Sequence, residues 1–243
     1  MQILGRLFVT SSFLLCSLSA SAQIPDTFTN LQFHPKDTSR AELMDVMRHF
    51  SFALGVRCQH CHVGGDGESF EGVAFDKDSP NKEKARFMLG MTRDLNESVL
   101  PELPGRDEAG LRIECKTCHR GQPTPALLTQ AMRTSLADGG ADAAVARYRE
   151  LRSEFESAGA FDFGEWEVNA FAESLASDER SRDAIAIYEL NAEFYPGSMS
   201  IHWALGNLYE EVDDTAAAIR SYERVLELRP EFERAQQRLD ALR

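Results

Sequence analysis

Two five-residue stretches of one form constrain this chain more than any other feature: Cys58-Gln59-His60-Cys61-His62 and Cys115-Lys116-Thr117-Cys118-His119. Both read Cys-x-x-Cys-His. This is the attachment pattern of c-type haem. The thiols bond to two vinyl groups and the imidazole ligates the iron. A fold built on these motifs has to seat two flat apolar groups and offer each iron a second axial ligand.

The cysteine count sharpens this reading. The chain has five cysteines, and the only one outside the motifs, Cys16, falls in a predicted export signal. A zinc- or thiol-based interaction adaptor is the rival, since Cys-x-x-Cys pairs also bind zinc. A four-cysteine zinc site would leave His62 and His119 without a role.

Residues 1–22 read as a signal peptide: Arg6, an apolar run from Leu7 to Leu18, and Ala20-Ser21-Ala22 as the cleavage site. The run is shorter than the ~20 residues a membrane-spanning helix needs. The mature chain is therefore expected to be soluble and exported, periplasmic or otherwise extracytoplasmic, and at most peripheral to the membrane.

Residues 23–37 read as an extended N-terminal segment. Beyond it, charge divides the chain: from Pro123 to Arg243 there are 12 basic and 23 acidic residues, whereas all five lysines lie earlier. Gly121-Gln122-Pro123-Thr124-Pro125 sits at the change and is turn-prone. The expected domains are a cytochrome part, 38–125, and a helical part, 126–243, giving an all-α chain with long loops in its first part.

Ser39-Arg40-Ala41-Glu42 is a capping box that starts a helix at Arg40. Leu43, Val46, Met47, Phe50 and Leu54 form its apolar face, and Gly55 ends it. Gly64 to Gly67 predicts a mobile loop. Ser79-Pro80 then opens a second helix running to about Leu95, and a Pro/Gly-rich loop, Pro101 to Gly110, leads to the second motif. Each motif thus follows a helix bearing a methionine pair: Met44 and Met47, then Met88 and Met91. These are four of seven methionines. Core packing is the ordinary role of methionine, but a thioether is also a common partner to histidine in electron-transfer haems. One ligand per pair is expected. Met47 lies on the apolar face, with Met44 beside it. His34, His49 and His202 read as ordinary, and His60, between two cysteines, is badly placed to reach an opposite face.

The stretches MDVMRHFSFALGVRCQHCHV (44–63), ARFMLGMTRDLNES (85–98) and CKTCHRGQPTP (115–125) resemble the cytochrome c subunit of photosynthetic reaction centres. The resemblance covers roughly residues 30–125. It implies two covalently attached haems, Met88 as axial ligand of the second, and either Met47 or Met44 for the first, of which the apolar face favours Met47. The chain departs from the family pattern in three ways. It has two motifs where reaction-centre members usually have four. It has no histidine between the second helix and the second motif. It also carries an appended domain.

That domain resembles tetratricopeptide repeats. Leu205, Gly206, Tyr209, Ala218, Tyr222 and Pro230 fall at the repeat spacings, and Pro196 precedes Pro230 by 34 residues. Ala172, Ala184 and Tyr188 occupy equivalent places in an earlier copy. Ala144 to Tyr148 begin a degenerate one, broken at Ser157 to Gly164, and Glu231 to Arg243 read as a capping helix. Such repeats present a surface to a protein partner.

The expected function is single-electron transfer to redox partner proteins, membrane-bound ones included, with docking through the repeats. His62 and His119 are the proximal ligands. A dihaem peroxidase-like enzyme is the catalytic alternative and requires one open sixth position. No nucleophile–base pairing or phosphate-binding loop is present, so no small-molecule substrate is expected, and the acidic balance disfavours nucleic acid.

Overall fold

The computed structural model describes residues 24–105 and 110–243. The expected signal peptide, Met1 to Ala22, lies outside them. Residues 24–39 form turns without helix or strand. Helix α1 spans Arg40–Leu54, and the predicted cap is in place: the Ser39 amide donates to Glu42 Oε2 at 2.9 Å. Leu43 and Ala53 are buried along α1, Val46, Met47, Phe50 and Leu54 half-buried, and Phe52 stands out on the opposite face. Gly55 terminates the helix at φ +65°.

After the first motif the chain forms a short antiparallel hairpin, β1 (Val63–Gly64) on β2 (Val73–Ala74). The glycine-rich stretch expected as a mobile loop is therefore closed at its base by paired backbone. Helix α2 spans Pro80–Asp94, with Ser79 Oγ accepting from the Lys82 amide at its start. A single π-helical turn (Leu95–Val99) and a 3-10 turn (Leu100–Glu102) come next. Helix α3, Cys115–His119, is the second motif itself.

The remaining helices are α4 (Leu128–Phe155), α5 (Glu165–Ser177), α6 (Ser181–Phe194), α7 (Met199–Glu211), α8 (Thr215–Leu228) and α9 (Glu233–Leu242). Non-helical backbone at Gly139 and Gly140 divides α4 in two. Helix α7 begins 34 residues after α5, from Glu165 to Met199, and α9 begins 34 after α7, from Met199 to Glu233. Helix α8 likewise begins 34 after α6, from Ser181 to Thr215. Links of three and four residues join α5 through α9 and force consecutive helices to run antiparallel, each packed on the next.

The chain divides into two compact units: residues 24–48 with 57–111, and residues 49–56 with 112–243. The last turns of α1 and the second motif therefore belong to the unit that holds the repeated helices. The two apolar clusters also lie in that unit, one from Leu128 to Leu208 and the other formed by Ala218, Tyr222, Val225, Ala235 and Leu239. Met132 and Met199, which are outside the two predicted pairs, pack within or against these clusters.

Gly206 sets the closest approach of two helices. A Cβ there would lie 2.5 Å from the ring of Tyr222, which is fully buried between α7, α8 and α9. Overpacking of this kind costs about 1–3 kcal/mol. Gly206→Ala is therefore expected to lower the thermal midpoint of the repeated helices while leaving haem content unchanged, measured by circular dichroism beside haem absorbance. An unchanged midpoint would contradict the packing described.

Candidate haem-binding sites

Cys58–His60 is a 3-10 turn, and the amides of Cys61 and His62 both bond to the Cys58 carbonyl, at 3.1 and 2.9 Å. The second motif forms a full helical turn instead. A reciprocal box at its start fixes it, with the Glu114 amide donating to Thr117 Oγ1 at 3.0 Å. Either way Cys, Cys and His fall on one side. All four thiols are unpaired; Cys58, Cys61 and Cys115 are half-buried and Cys118 is exposed.

Burial pushes the Cys61 and Cys115 thiols above their ordinary range. Among the described residues no three side chains of His, Cys, Asp or Glu are arranged to hold a metal ion.

The start of α2 is fastened to the first motif by two side chains. Ser79 Oγ donates to the Cys61 carbonyl at 2.6 Å, and Asn81 Nδ2 donates to the His60 carbonyl at 2.8 Å. The His62 ring packs against Phe75, with centroids 4.9 Å apart. Burial, and next the positive charge of Lys82, push the His62 pKa down to about 4, while the Phe75 backbone pulls the other way. Neutral imidazole is the form that ligates a metal. Nδ1 of His62 is buried without a hydrogen-bond partner.

His119 is also buried, and its Nδ1 donates to the Gln122 carbonyl at 2.8 Å. A carbonyl only accepts, so the proton sits on Nδ1 and Nε2 keeps its lone pair. A hydrogen bond of this kind orients a ligating histidine and raises its basicity.

On α1, Met44 and Met47 are both half-buried; on α2, Met88 is half-buried and Met91 is 39% exposed. Sequence reasoning sets His34 aside, yet its Nε2 is buried without a partner, and its ring lies edge-on to Phe33 at 5.8 Å. Nothing in its sequence context signals that burial, which comes from how the N-terminal segment folds back. Asn30 shows the same fold-back, donating to the Asp76 carbonyl at 2.6 Å and to Asp78 at 2.8 Å.

The segment around both motifs has little apolar interior of its own. Of the described residues before Leu128, only Leu43 and Ala53 are both apolar and buried, while Phe52, Phe70, Phe87, Val99, Leu103 and Leu111 are exposed. A haem held at each motif would supply the apolar mass that such a segment otherwise lacks, and the thiols and imidazoles are of the kind that would hold it. The residues present fit the group.

Residues 19–132 match the family model of the photosynthetic reaction centre cytochrome C subunit. The chain is also similar to the photosynthetic reaction center cytochrome c subunit of Rubrivivax gelatinosus, 33% identical over 108 residues. That match covers 37% of this chain and 27% of the relative. Cytochrome c-554 of Chloroflexus aurantiacus is 36% identical over 86 residues, covering 35% of this chain and 19% of the relative. The chain thus spans about a quarter or less of the length of these relatives. The matched region contains both motifs, and the match ends at residue 132, just inside α4.

One contact ties the end of α1 to the exit of the second motif. The Gly121 amide donates to the Ala53 carbonyl at 2.9 Å, and a Cβ on Gly55 would lie 2.1 Å from the Gly121 carbonyl oxygen. Gly55→Ala is expected to cost about 1–3 kcal/mol through its positive φ, with further loss from the clash. Gly55→Asn, which tolerates that φ, should not restore stability, because its Cβ meets the same oxygen. Urea midpoints of the haem-loaded protein test this; full rescue by Asn would remove the clash from the explanation.

Proposed function

We propose that the chain is an exported dihaem c-type cytochrome that passes single electrons between protein partners. Cys58 and Cys61 anchor one haem and Cys115 and Cys118 the other, with His62 and His119 as proximal ligands. The observation that carries the reading is the pair of Cys-x-x-Cys-His turns, each with a buried or half-buried imidazole, in a segment nearly devoid of buried apolar side chains. The similarity of residues 19–132 to reaction-centre cytochromes supports it. Haem iron supplies a one-electron couple.

The residues of the chain set the conditions for that couple. His62 is held neutral by burial and by Lys82, and His119 is held in one tautomer by Gln122. Met88, less exposed than Met91, is the proposed axial partner at the second motif. Met47, with Met44 as its alternative, is proposed at the first. A methionine partner raises the potential of a histidine-ligated haem and closes the position that peroxidase-like chemistry would require.

The helices from α5 to α9, with their 34-residue period, are read as tetratricopeptide-like repeats, and the cytochrome domain as residues 38–125. The repeats are proposed as the docking surface for a redox partner, with a membrane-bound photosynthetic complex as one candidate suggested by the relatives. No described helix is long and apolar enough to cross a membrane, and export rests on residues 1–22.

Ligand substitutions test the assignment. Met47→Ala and Met88→Ala are each expected to lower one of two reduction couples while both haems stay attached. Met44→Ala and Met91→Ala should leave both couples in place. Potentiometric titration monitored by haem absorbance reads the result. Two couples unmoved by Met47→Ala and Met88→Ala would contradict the methionine assignment.

A further inference from the structure

Gln122 is only 8% exposed although it precedes two prolines in a connecting stretch. Three bonds hold it. Its amide donates to the His119 carbonyl at 2.8 Å, and its own carbonyl accepts from His119 Nδ1 at 2.8 Å. Its side-chain Nε2 donates to the carbonyl of Ala160 at 3.3 Å. Left-handed backbone at Arg120 (φ 48°) and Gly121 (φ 88°) turns the chain back so that the residue after them faces the imidazole.

Ala160 lies in the link between α4 and α5, and with Phe161 and Phe163 it is part of the larger apolar cluster of the repeated helices. This link is the place where the repeat pattern breaks. There the backbone leaves helical geometry, and a carbonyl that a helix would use internally is turned to accept from Gln122. The side chain of Gln122 thus connects a buried imidazole to the packed interior of the repeats through one residue.

We propose that Gln122 is a positioning residue for His119, and that through it the helical repeats set the strength of the second haem's proximal ligand. The proposal rests on the assignment of haem to the second motif. Every residue at position 122 still offers a backbone carbonyl to His119, so a substitution there removes only the tether that holds this carbonyl in line. A loosened Nδ1–H bond makes the imidazole a weaker donor. The oxidised iron is then less stabilised, and the couple at that site rises.

The test uses the full haem-loaded chain. Gln122→Met keeps the side-chain length and loses the donor, and Phe161→Leu repacks the link that presents the Ala160 carbonyl without touching the motif. Haem is counted by pyridine haemochrome and the two couples by potentiometric titration. Both variants should retain two haems, with one couple raised and the other unmoved, and the shift should be larger for Gln122→Met. If Gln122→Met does not retain the second haem, Phe161→Leu decides alone. Two unmoved couples, or equal shifts in both, overturn the role of Gln122 and leave the haem assignment standing. An unvaried protein without covalent haem overturns the haem assignment itself, and this proposal with it.

Discussion

The constraint on which the rest of this structure depends is the covalent attachment of haem proposed for the two Cys-x-x-Cys-His motifs. A segment of roughly eighty residues normally closes around its own apolar side chains, since burial at roughly 25 cal/mol per Å² is the main favourable contribution to folding. Here the described residues before α4 bury only Leu43 and Ala53 among their apolar side chains, while the helices after Leu128 are built around two apolar clusters. The first segment is organised instead by local devices around the motifs: the Ser39–Glu42 cap, the bond from Ser79 to the Cys61 carbonyl, the short hairpin, and the half-buried His62 and buried His119. Binding to the folded state alone stabilises it by mass action, and a thioether-linked group cannot diffuse away.

The two parts of the chain are not arranged simply in series. The last turns of α1 and the second motif fall in the compact unit of the repeated helices. Two contacts account for this. The carbonyl of Gly121 occupies the space where Gly55 lacks a Cβ, and the side chain of Gln122 reaches the Ala160 carbonyl. The second compact unit takes in residues 112–243 with 49–56, while the boundary expected after Pro125 follows the charge change and the turn-prone stretch from Gly121. The composition change marks where the acidic repeats begin, whereas compactness tracks hydrogen bonds that reach back across it.

Local chemistry was legible in the sequence. The capping box gave the start of α1, Ser79-Pro80 that of α2, and Gly55 the stop, because each depends on a few adjacent residues. The helix periodicity after Glu165 was legible for a related reason: each hairpin repeats the same packing, with Gly206 beneath Tyr222 as its tightest point. Features that stayed hidden depend on distant partners. The pairing of β1 with β2 closes a glycine-rich stretch that reads as a loop, and the break at Gly139–Gly140 is masked by helix-forming neighbours. The buried Nε2 of His34 and the tether from Gln122 to Ala160 have no signal in the adjacent residues. The four cysteines and two histidines stand out in the sequence because their spacing is itself the attachment pattern, and their haem-binding role is the proposal made above. Which methionine serves each iron is less so, since Met44 and Met47 are both half-buried on one helix.

The central claim is that each Cys-x-x-Cys-His motif carries one haem through two thioether bonds. The most direct measurement is the intact mass of the exported, processed protein after acid denaturation and organic extraction, which strips haem held only by its ligands. The account predicts a mass two haems above the polypeptide, with Cys58→Ala/Cys61→Ala reducing the excess to one. A mass equal to the bare polypeptide, or haem that extracts completely, would contradict it.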